Sequence, residues 1–285
     1  MYNNWLTLGR FTIHGYGVMI AVGILVGLAL ADRIAKRYGY QPDNIDNIVY
    51  CALIVGFIGA KFVYCLVNWN QFLNDPMAVL GTAGWVVYGG IIAGILAIFI
   101  YCRIKKISFR EHFNIIVIGV ALAQAFGRIG CFFAGCCYGR ETVSAFGLVF
   151  PEGSLAPSGV KLIPTQLMSS LGDLIICIVL YRLYENEKTR NYTGFFYVLL
   201  YGAGRFFLEF FRGDAARGTV GIFSTSQFIS ICMVLGAGIL LLIVKKQDKK
   251  KTLPETSEAS VEYGAEDKEI TEEKGEEENE DRNHE

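Results

Sequence analysis

Two arginines lie inside apolar stretches of this chain, where an unpaired charge is costly. Arg128 and Arg205 are flanked mainly by phenylalanine, glycine and isoleucine. Ionisable groups within a hydrocarbon layer usually mark either function or paired structure. A guanidinium group makes planar, bidentate hydrogen bonds to phosphate, so these arginines suit an anionic ligand such as a phospholipid headgroup. The structural alternative is that each arginine bonds a carboxylate or backbone carbonyls and holds the helices together.

Helical spacing places further polar residues beside both arginines. Residues three, four and seven apart share one face of a helix. Arg205, Glu209 and Arg212 therefore form one face, while Gln124, Arg128 and Cys131 form another. We expect these two cationic faces to meet around one anionic group, with Glu209 orienting an arginine through a charge-assisted hydrogen bond.

Four side chains are candidates for removing a proton from a nucleophile: His14, Tyr16, Tyr88 and Glu209. Histidine ordinarily titrates nearest to neutral pH, which makes His14 the first candidate. A histidine at a helix start also serves as a capping or interfacial residue. Tyr88 would act as a base only if nearby cations stabilised its anion. The sequence therefore leaves the general base unassigned.

Three of the eight cysteines lie close together, at Cys131, Cys136 and Cys137. Three cysteines without a fourth nearby ligand make a poor structural zinc site, so we expect no metal and no cofactor. The cluster has three other interpretations. Its members are small packing residues in a glycine-rich bend, or a redox pair outside the cytoplasm, or a thiolate made reactive by Arg128. The other five cysteines lie singly in apolar segments and are predicted to be inert.

Seven apolar segments must position these residues. A membrane-spanning helix needs about 20 mainly apolar residues to cross a hydrocarbon layer about 30 Å thick. The segments that qualify are 12–31, 47–67, 78–102, 114–134, 166–183, 194–211 and 223–244. Apolar residues make up 53% of the chain and charged residues 19%, which excludes a disordered, collagenous or nucleic-acid-binding chain. We therefore predict an all-α, polytopic membrane protein with one seven-helix domain over residues 1–244.

Basic residues in the short loops predict the orientation of the helices, because lysine and arginine are retained on the cytoplasmic side. The first, third and fifth loops and the start of the tail hold fifteen, against five in the N-terminus and the other loops. The N-terminus is therefore expected outside and the C-terminus in the cytoplasm. Ala29-Leu30-Ala31 also resembles a signal-peptide cleavage site, but the basic cluster from Arg33 to Arg37 follows it, as in a retained helix.

The last 41 residues, 245–285, differ from the rest in charge. They begin with a lysine-rich run that can rest against anionic lipid headgroups, and they continue as glutamate-rich sequence of low complexity. Such a segment cannot bury enough apolar surface to offset its ordering entropy. We predict a basic juxtamembrane run followed by a disordered acidic tail without chemistry of its own.

The arginine and cysteine segment carries a family resemblance. Gly127-Arg128-Ile129-Gly130-Cys131-Phe132, continuing to Gly135 and Gly139-Arg140, resembles the signature of the bacterial prolipoprotein diacylglyceryl transferases. Shorter matches occur in the family's order over nearly all of residues 10–215. These are Ile13-His14-Gly15-Tyr16-Gly17, Gly89-Gly90, Pro164-Thr165-Gln166-Leu167, and Arg205-Phe206 through Glu209 to Arg212.

The resemblance implies a seven-helix enzyme of the bacterial cytoplasmic membrane, with a site that opens toward the outer leaflet. Such an enzyme moves the diacylglyceryl group of phosphatidylglycerol onto the lipobox cysteine thiol of a prolipoprotein signal peptide, forming a thioether and releasing glycerol phosphate. Its partners are thus a lipid and a peptide, with no nucleic acid. The candidate catalytic residues are Arg128, Arg205, Tyr16, Glu209, His14 and Tyr88. The candidate substrate-binding residues are Arg128, Arg205, Arg212, Gly139, Gln166 and Cys131.

Several positions depart from the family's usual pattern. Tyr88 stands where a histidine is common, Cys131 and Ala134 replace asparagines, and Cys136 replaces a glutamate; Met168-Ser169 replaces a Tyr-Glu pair. These changes motivate an alternative, a divergent paralogue that acts on another lipid headgroup or a membrane thiol redox protein that uses Cys131 and Cys136. A transporter or non-catalytic lipid-binding protein is a third possibility, although its charges would be expected to continue into the inner half of the bundle.

Overall fold

The computed structural model describes residues 3–8, 11–82, 84–213 and 219–252. Within them the chain is mainly helical, and its short strands pair as three antiparallel two-stranded sheets. The long helices are α1 (Gly15–Arg37), α2 (Pro42–Val67), α5 (Val87–Lys105), α6 (Phe109–Ala134), α7 (Thr165–Glu185), α9 (Thr193–Glu209) and α10 (Thr225–Thr252). The short helices are α3 (Trp69–Asn74), α4 (Pro76–Gly81) and α8 (Glu187–Arg190). The strands are β1 (Asn4–Leu8), β2 (Phe11–His14), β3 (Leu148–Val149), β4 (Lys161–Leu162), β5 (Thr219–Val220) and β6 (Phe223–Ser224).

Each of the seven predicted apolar segments overlaps one long helix. Of the helices in the described ranges, six are long and apolar enough to cross a membrane: α1, α2, α5, α6, α7 and α10. The protein is therefore a polytopic membrane protein, as predicted. Helix α9 has 17 residues, fewer than the roughly 20 that a hydrocarbon layer requires. The count of seven spans consequently stays a prediction.

The third segment was predicted from residue 78, but its long helix begins only at Val87. The chain is first helical in α4 and then extended at Thr82. Lys61 of α2 explains this break, because its Nζ donates to the carbonyls of Thr82 at 2.8 Å and Gly84 at 3.3 Å. A partly exposed ammonium group in an apolar span thereby satisfies carbonyls that leave the helical pattern.

Glycines allow two pairs of helices to pack backbone against backbone. A Cβ added to Gly27 of α1 would lie 2.5 Å from the carbonyl oxygen of Gly119 of α6, and one added to Gly119 would lie 2.4 Å from that of Gly27. A Cβ on Gly59 of α2 would lie 2.9 Å from the carbonyl oxygen of Gly89 of α5. Small residues let spanning helices approach this closely. The fold therefore contains an α1–α6 pair and an α2–α5 pair.

The main apolar core lies toward the N-terminal half of α6. Fully buried aliphatic side chains from α1, α2, α6 and α7 meet there, among them Ile34, Ile48, Ile118 and Leu180. At the same end of the bundle, the Nη1 atom of Arg37 donates to the hydroxyl of Tyr181 at 2.7 Å and to Glu185 at 3.1 Å. Arg128 lies in the other half of α6, beyond this core.

The described residues form two compact units, one ending at Gly238 and the other starting at Ile239. All candidate site residues belong to the first unit. The lysine-rich run predicted to open a disordered tail is helical through Thr252 as part of α10; lysine is a good helix former, which accounts for the extension. The acidic tail itself, 253–285, lies outside the described residues.

Candidate functional site

Arg128 of α6 is held by groups from two other helices. Its Nε atom lies 3.9 Å from Oδ2 of Asp173 on α7, and its Nη2 atom donates to the hydroxyl of Tyr201 on α9 at 3.5 Å. The Asp173 side chain is 8% exposed and that of Arg128 is 21% exposed. A charge withdrawn from water needs a partner. Asp173 thus stabilises the guanidinium group at this position in the bundle.

Arg205 of α9 is paired within its own helix, as its spacing predicted. Its Nη2 atom lies 2.9 Å from Oε2 of Glu209, one turn later, and donates to the hydroxyl of Ser226 on α10 at 3.0 Å. Both members of the ion pair are largely buried. The pairing of Glu209 with an arginine, predicted from the four-residue spacing, is therefore present in the structure.

Both arginines line one pocket of about 70 Å³ between α6, α7 and α9. A guanidinium group carries five N–H donors in a planar fork that matches two phosphate oxygens. Side chains from separate helices therefore face a common space in which an anion can be bound. The residues that line it are Arg128, Met168, Ser169, Gly172, Asp173, Ile176, Tyr201, Gly204, Arg205 and Leu208.

A second, larger pocket of about 280 Å³ is almost wholly apolar. It lies between α1, α2 and α6, and its lining includes Ile24, Leu53 and Val120 together with Gln124. Gln124 precedes Arg128 by one helical turn, so the apolar pocket and the arginine pocket adjoin along α6. A space of this kind suits a hydrocarbon chain.

The loop after α6 is fixed between two other segments. The backbone N–H of Gly139 donates to Ile163 at 2.9 Å, and that of Arg140 donates to Phe211 at 2.9 Å. A Cβ on Gly139 would lie 2.6 Å from the carbonyl oxygen of Ile163 and 2.8 Å from that of Phe211. The structure thus gives Gly139 a packing role that its prediction as a substrate-binding residue did not include.

Gln166 is a buried anchor for the same loop. It is 1% exposed, and its Nε2 atom donates to the carbonyl of Cys136 at 2.8 Å. The neighbouring hydroxyl of Thr165 donates to the carbonyl of Cys137 at 2.7 Å. These two side chains at the start of α7 hold both cysteines of the loop through their backbones.

The fold brings the three clustered cysteines together. The Sγ atoms of Cys131, Cys136 and Cys137 all lie within 4.8 Å of one another. Cys137 has a left-handed backbone conformation, with φ of 61°. Hydrogen bonds with the other two thiols, and the positive charge of Arg212, lower the pKa of Cys137, whereas hydrogen bonds with Cys131 and Cys137 raise the pKa of Cys136.

Arg212 and Tyr16 both adjoin this cluster. Arg212 is 8% exposed, pairs through its backbone with Gly139, and interacts electrostatically with Cys137. Tyr16 interacts electrostatically with the three thiols and with Arg128. A Cβ on Gly130 would lie 3.1 Å from the carbonyl oxygen of Tyr16, which shows how closely α1 approaches α6 there.

His14 and Tyr88 are placed differently. His14 ends strand β2, is exposed, and its Nδ1 atom lies 2.9 Å from the carbonyl oxygen of Thr12. Tyr88 lies in the first turn of α5, which packs against α2, and is 51% exposed. Neither residue lines the arginine pocket.

The sequence reasoning overlooked Asp173 and Tyr201. Asp173 is a carboxylate within an apolar segment, seven residues after Gln166 and hence on the same helix face. Tyr201 precedes Arg205 by four residues and shares its face. The spacing rule that linked Arg205 to Glu209 would have found both residues.

Comparison with known proteins adds a family to this geometry. The family described as prolipoprotein diacylglyceryl transferase matches residues 3–244. The chain is 41% identical over 242 residues to phosphatidylglycerol–prolipoprotein diacylglyceryl transferase 2 of Clostridium perfringens, covering 84% of this chain and 94% of the relative. It is 41% identical over 227 residues to the corresponding transferase of Clostridium tetani, covering 78% and 90%. It is 34% identical over 245 residues to that of Clostridioides difficile, covering 85% and 95%.

Proposed function

The chain belongs to the prolipoprotein diacylglyceryl transferase family, and we propose that it transfers the diacylglyceryl group of phosphatidylglycerol to the lipobox cysteine thiol of a prolipoprotein. This is the first step of lipoprotein maturation, and it leaves a thioether on the protein and releases glycerol phosphate. The observation that carries the proposal is the shared pocket of Arg128 and Arg205.

The reaction makes two chemical demands on the site. A sulfur atom must lose its proton and attack the glycerol carbon that bears the phosphate. The bond between that carbon and the phosphate oxygen then breaks, and its electron pair leaves with glycerol phosphate. Fixed cations at the leaving oxygen stabilise the charge that develops in the transition state. Arg128 and Arg205 are placed to supply these cations.

The neighbouring residues support this assignment. Asp173 pairs with Arg128 and Glu209 pairs with Arg205, so the donors are positioned before the lipid binds. Arg212 and Tyr16 lie beside the adjoining loop, where they can contact the headgroup or the peptide. The apolar pocket along α6 suits an acyl chain of the lipid.

The membrane orientation forms part of the proposal. Basic residues predominate in the loops after α1, α5 and α7, which supports a cytoplasmic position for those loops. The arginine pocket then faces the outer leaflet of the bacterial cytoplasmic membrane, where a secreted prolipoprotein presents its thiol. Helix α9 would form the seventh span, shortened to 17 residues.

An in vitro transfer assay tests the function. Full-length protein in lipid nanodiscs would receive phosphatidylglycerol with labelled acyl chains and a lipobox peptide, and labelled peptide would be measured. We expect Arg128→Ala or Arg205→Ala to reduce the rate by about 10²-fold or more, since each removes a preorganised donor. Cys177→Ala, a buried packing position on α7, serves as the control.

Two outcomes would contradict the proposal. Product formation that is undiminished in both arginine variants would remove them from the site. Failure of well-expressed wild-type protein to label the peptide, together with failure to restore lipoprotein lipidation in cells that lack their own transferase, would favour a paralogue with another substrate.

A further inference from the structure

The three-cysteine cluster has the dimensions of a metal site. Its Sγ atoms lie within 4.8 Å of one another. In tetrahedral zinc sites the Zn–S distance is about 2.3 Å, which places the sulfur atoms about 3.8 Å apart. The three thiols therefore need to move toward a common centre by on the order of 1 Å or less to hold one ion.

Hydrogen bonds hold the backbone of all three cysteines in place. Cys131 lies in the last turn of α6, and the N–H groups of Gly135 and Cys136 close that turn on Phe132 and Cys131. Thr165 and Gln166 then bond the carbonyls of Cys137 and Cys136. All three ligands are thus held by structure that exists before an ion binds, which lowers the entropic cost of binding.

Two cationic side chains lie close to the cluster. Three thiolates and one Zn²⁺ sum to a charge of −1, and a fourth thiolate would make it −2. Arg128 interacts electrostatically with Cys131 and Cys137, and Arg212 with Cys137. Two guanidinium groups therefore lie where they can compensate an anionic metal–thiolate group.

The cluster offers three ligands and leaves a fourth position open. Within the described ranges, no fourth histidine, cysteine or carboxylate joins the group, and each thiol is only partly buried. Structural zinc sites are closed by four protein ligands, whereas catalytic sites use three and keep one position for water or substrate. The absence of a fourth ligand argues against a structural zinc site. It is the feature expected of a zinc site that binds a substrate.

The substrate of the proposed function is itself a thiol. The reaction needs its thiolate form, and neither His14 nor Tyr88 lines the arginine pocket where a base would be required. A thiol that coordinates a metal ion loses its proton outright. A metal beside Arg128 would therefore produce the nucleophile next to the cation that receives the leaving phosphate.

We propose that Cys131, Cys136 and Cys137 bind one Zn²⁺ ion and that the acceptor cysteine of the prolipoprotein occupies the fourth coordination position. This inference rests on the proposed function. The acceptor S–H releases its proton to water when the sulfur binds. The sulfur lone pair then forms the bond to the glycerol carbon while the C–O bond to phosphate breaks. The neutral thioether product is a weaker ligand than a thiolate and leaves the ion.

Metal content tests the site independently of catalysis. Full-length protein would be purified under reducing, anaerobic conditions, supplied with Zn²⁺, passed through a desalting column and analysed by elemental mass spectrometry. We expect about one zinc per chain in the wild type. Each of the single variants Cys131→Ser, Cys136→Ser and Cys137→Ser should lose most of this zinc. Cys232→Ser, which changes an exposed cysteine on α10, should retain the wild-type content.

Cobalt identifies the ligands directly. Co²⁺ in place of Zn²⁺ should give a thiolate-to-metal charge-transfer band and the visible bands of tetrahedral coordination, and adding the lipobox peptide should perturb them. A peptide with serine in place of the acceptor cysteine should leave the spectrum unchanged. Zinc content no higher than in the triple serine variant, or a disulfide between two of the cysteines as the stable state, would overturn the proposal.

The transfer assay separates this inference from the proposed function. Removing the metal with a chelator should lower the transfer rate by about 10-fold or more, and Zn²⁺ should restore it. Undiminished transfer by metal-free protein would overturn coordination of the acceptor thiol as a step of the reaction and leave the transferase function intact. Zinc-loaded protein that shows the peptide-dependent cobalt spectrum but transfers no lipid would support the site and contradict the function.

Discussion

The Nε atom of Arg128 lies 3.9 Å from the Oδ2 atom of Asp173 on the adjacent helix α7. This contact joins α6, which carries the glycine-rich family signature, to α7, where the family resemblance covers only the first residues. Asp173 is nearly buried and has a cation as its partner, so it is placed to position Arg128. A carboxylate so placed prevents the guanidinium group from turning toward the lipid phase.

Replacing Asp173 by asparagine should therefore impair transfer without abolishing lipid binding. The substitution preserves size but removes the charge that holds Arg128 in place. A displacement of about 1 Å at a catalytic group can cost about 10²-fold in rate. We expect kcat to fall by about 10- to 10²-fold and KM for phosphatidylglycerol to change much less, as measured in nanodiscs of varied lipid content.

Asp173→Glu and a lipid-facing change provide the comparison. A glutamate keeps the charge and can span the 3.9 Å gap, so it should recover part of the lost rate. Leu171→Ala, at an exposed position on the same helix, should behave like the wild type. Equal loss of rate in the asparagine and glutamate variants would argue against electrostatic positioning.

Gly139 makes a second prediction, which concerns packing. Alanine at this position would bring its Cβ to 2.6 Å from one carbonyl oxygen and 2.8 Å from another. Both atoms belong to backbone segments that are hydrogen-bonded to the same loop, so neither can move cheaply. We expect Gly139→Ala to destabilise the protein by about 1–3 kcal/mol and to lower its Tm in detergent.

Gly236→Ala is the matched control for that measurement. A Cβ at Gly236 of α10 has no neighbour within 4 Å among the described residues. Alanine also favours a helix over glycine by about 0.8–1.0 kcal/mol. The Tm of Gly236→Ala should therefore equal or exceed that of the wild type. A Gly139→Ala protein with the same Tm as Gly236→Ala would refute the packing role.

Much of this arrangement could be predicted from periodicity and spacing. The apolar segments located every long helix, and the four-residue spacing of Arg205 and Glu209 predicted their ion pair. Contacts between distant segments were not predictable in the same way. The pairing of Arg128 with Asp173, and the loop held by Thr165 and Gln166, depend on how α6 and α7 dock. A single sequence shows which residues share a helix face, but it does not show which other helix that face contacts.

The α1–α6 interface provides a third prediction. Gly119 and Gly127 lie on the same helix, but only Gly119 faces a carbonyl oxygen at 2.4 Å; a Cβ on Gly127 meets nothing within 4 Å among the described residues. We expect Gly119→Ala to separate α1 from α6 and to cost about 1–3 kcal/mol. Gly127→Ala should leave Tm unchanged or raised, and loss of stability in both variants would contradict the assigned interface.

Tyr88→Phe tests a candidate base that the sequence proposed. Tyr88 is 51% exposed on the α2–α5 pair and does not line the arginine pocket. A positioned general base contributes about 10²–10⁴-fold to a rate. We expect Tyr88→Phe to retain the transfer rate within about 3-fold, far inside that range. A loss of 10²-fold would instead identify the Tyr88 hydroxyl as part of the reaction and would weaken the case for a metal-activated thiol.

The last prediction concerns which side of the membrane the site faces. Val143 in the loop after α6 and Lys105 at the end of α5 are both exposed. The excess of basic residues around α5 predicts that Lys105 lies in the cytoplasm and Val143 outside. In intact cells, a membrane-impermeant maleimide should therefore modify Val143→Cys beyond the wild-type background, and Lys105→Cys only after permeabilisation. The reverse pattern would place the arginine pocket toward the cytoplasm, away from secreted prolipoproteins, and would contradict the proposed orientation even if the transfer activity itself were demonstrated.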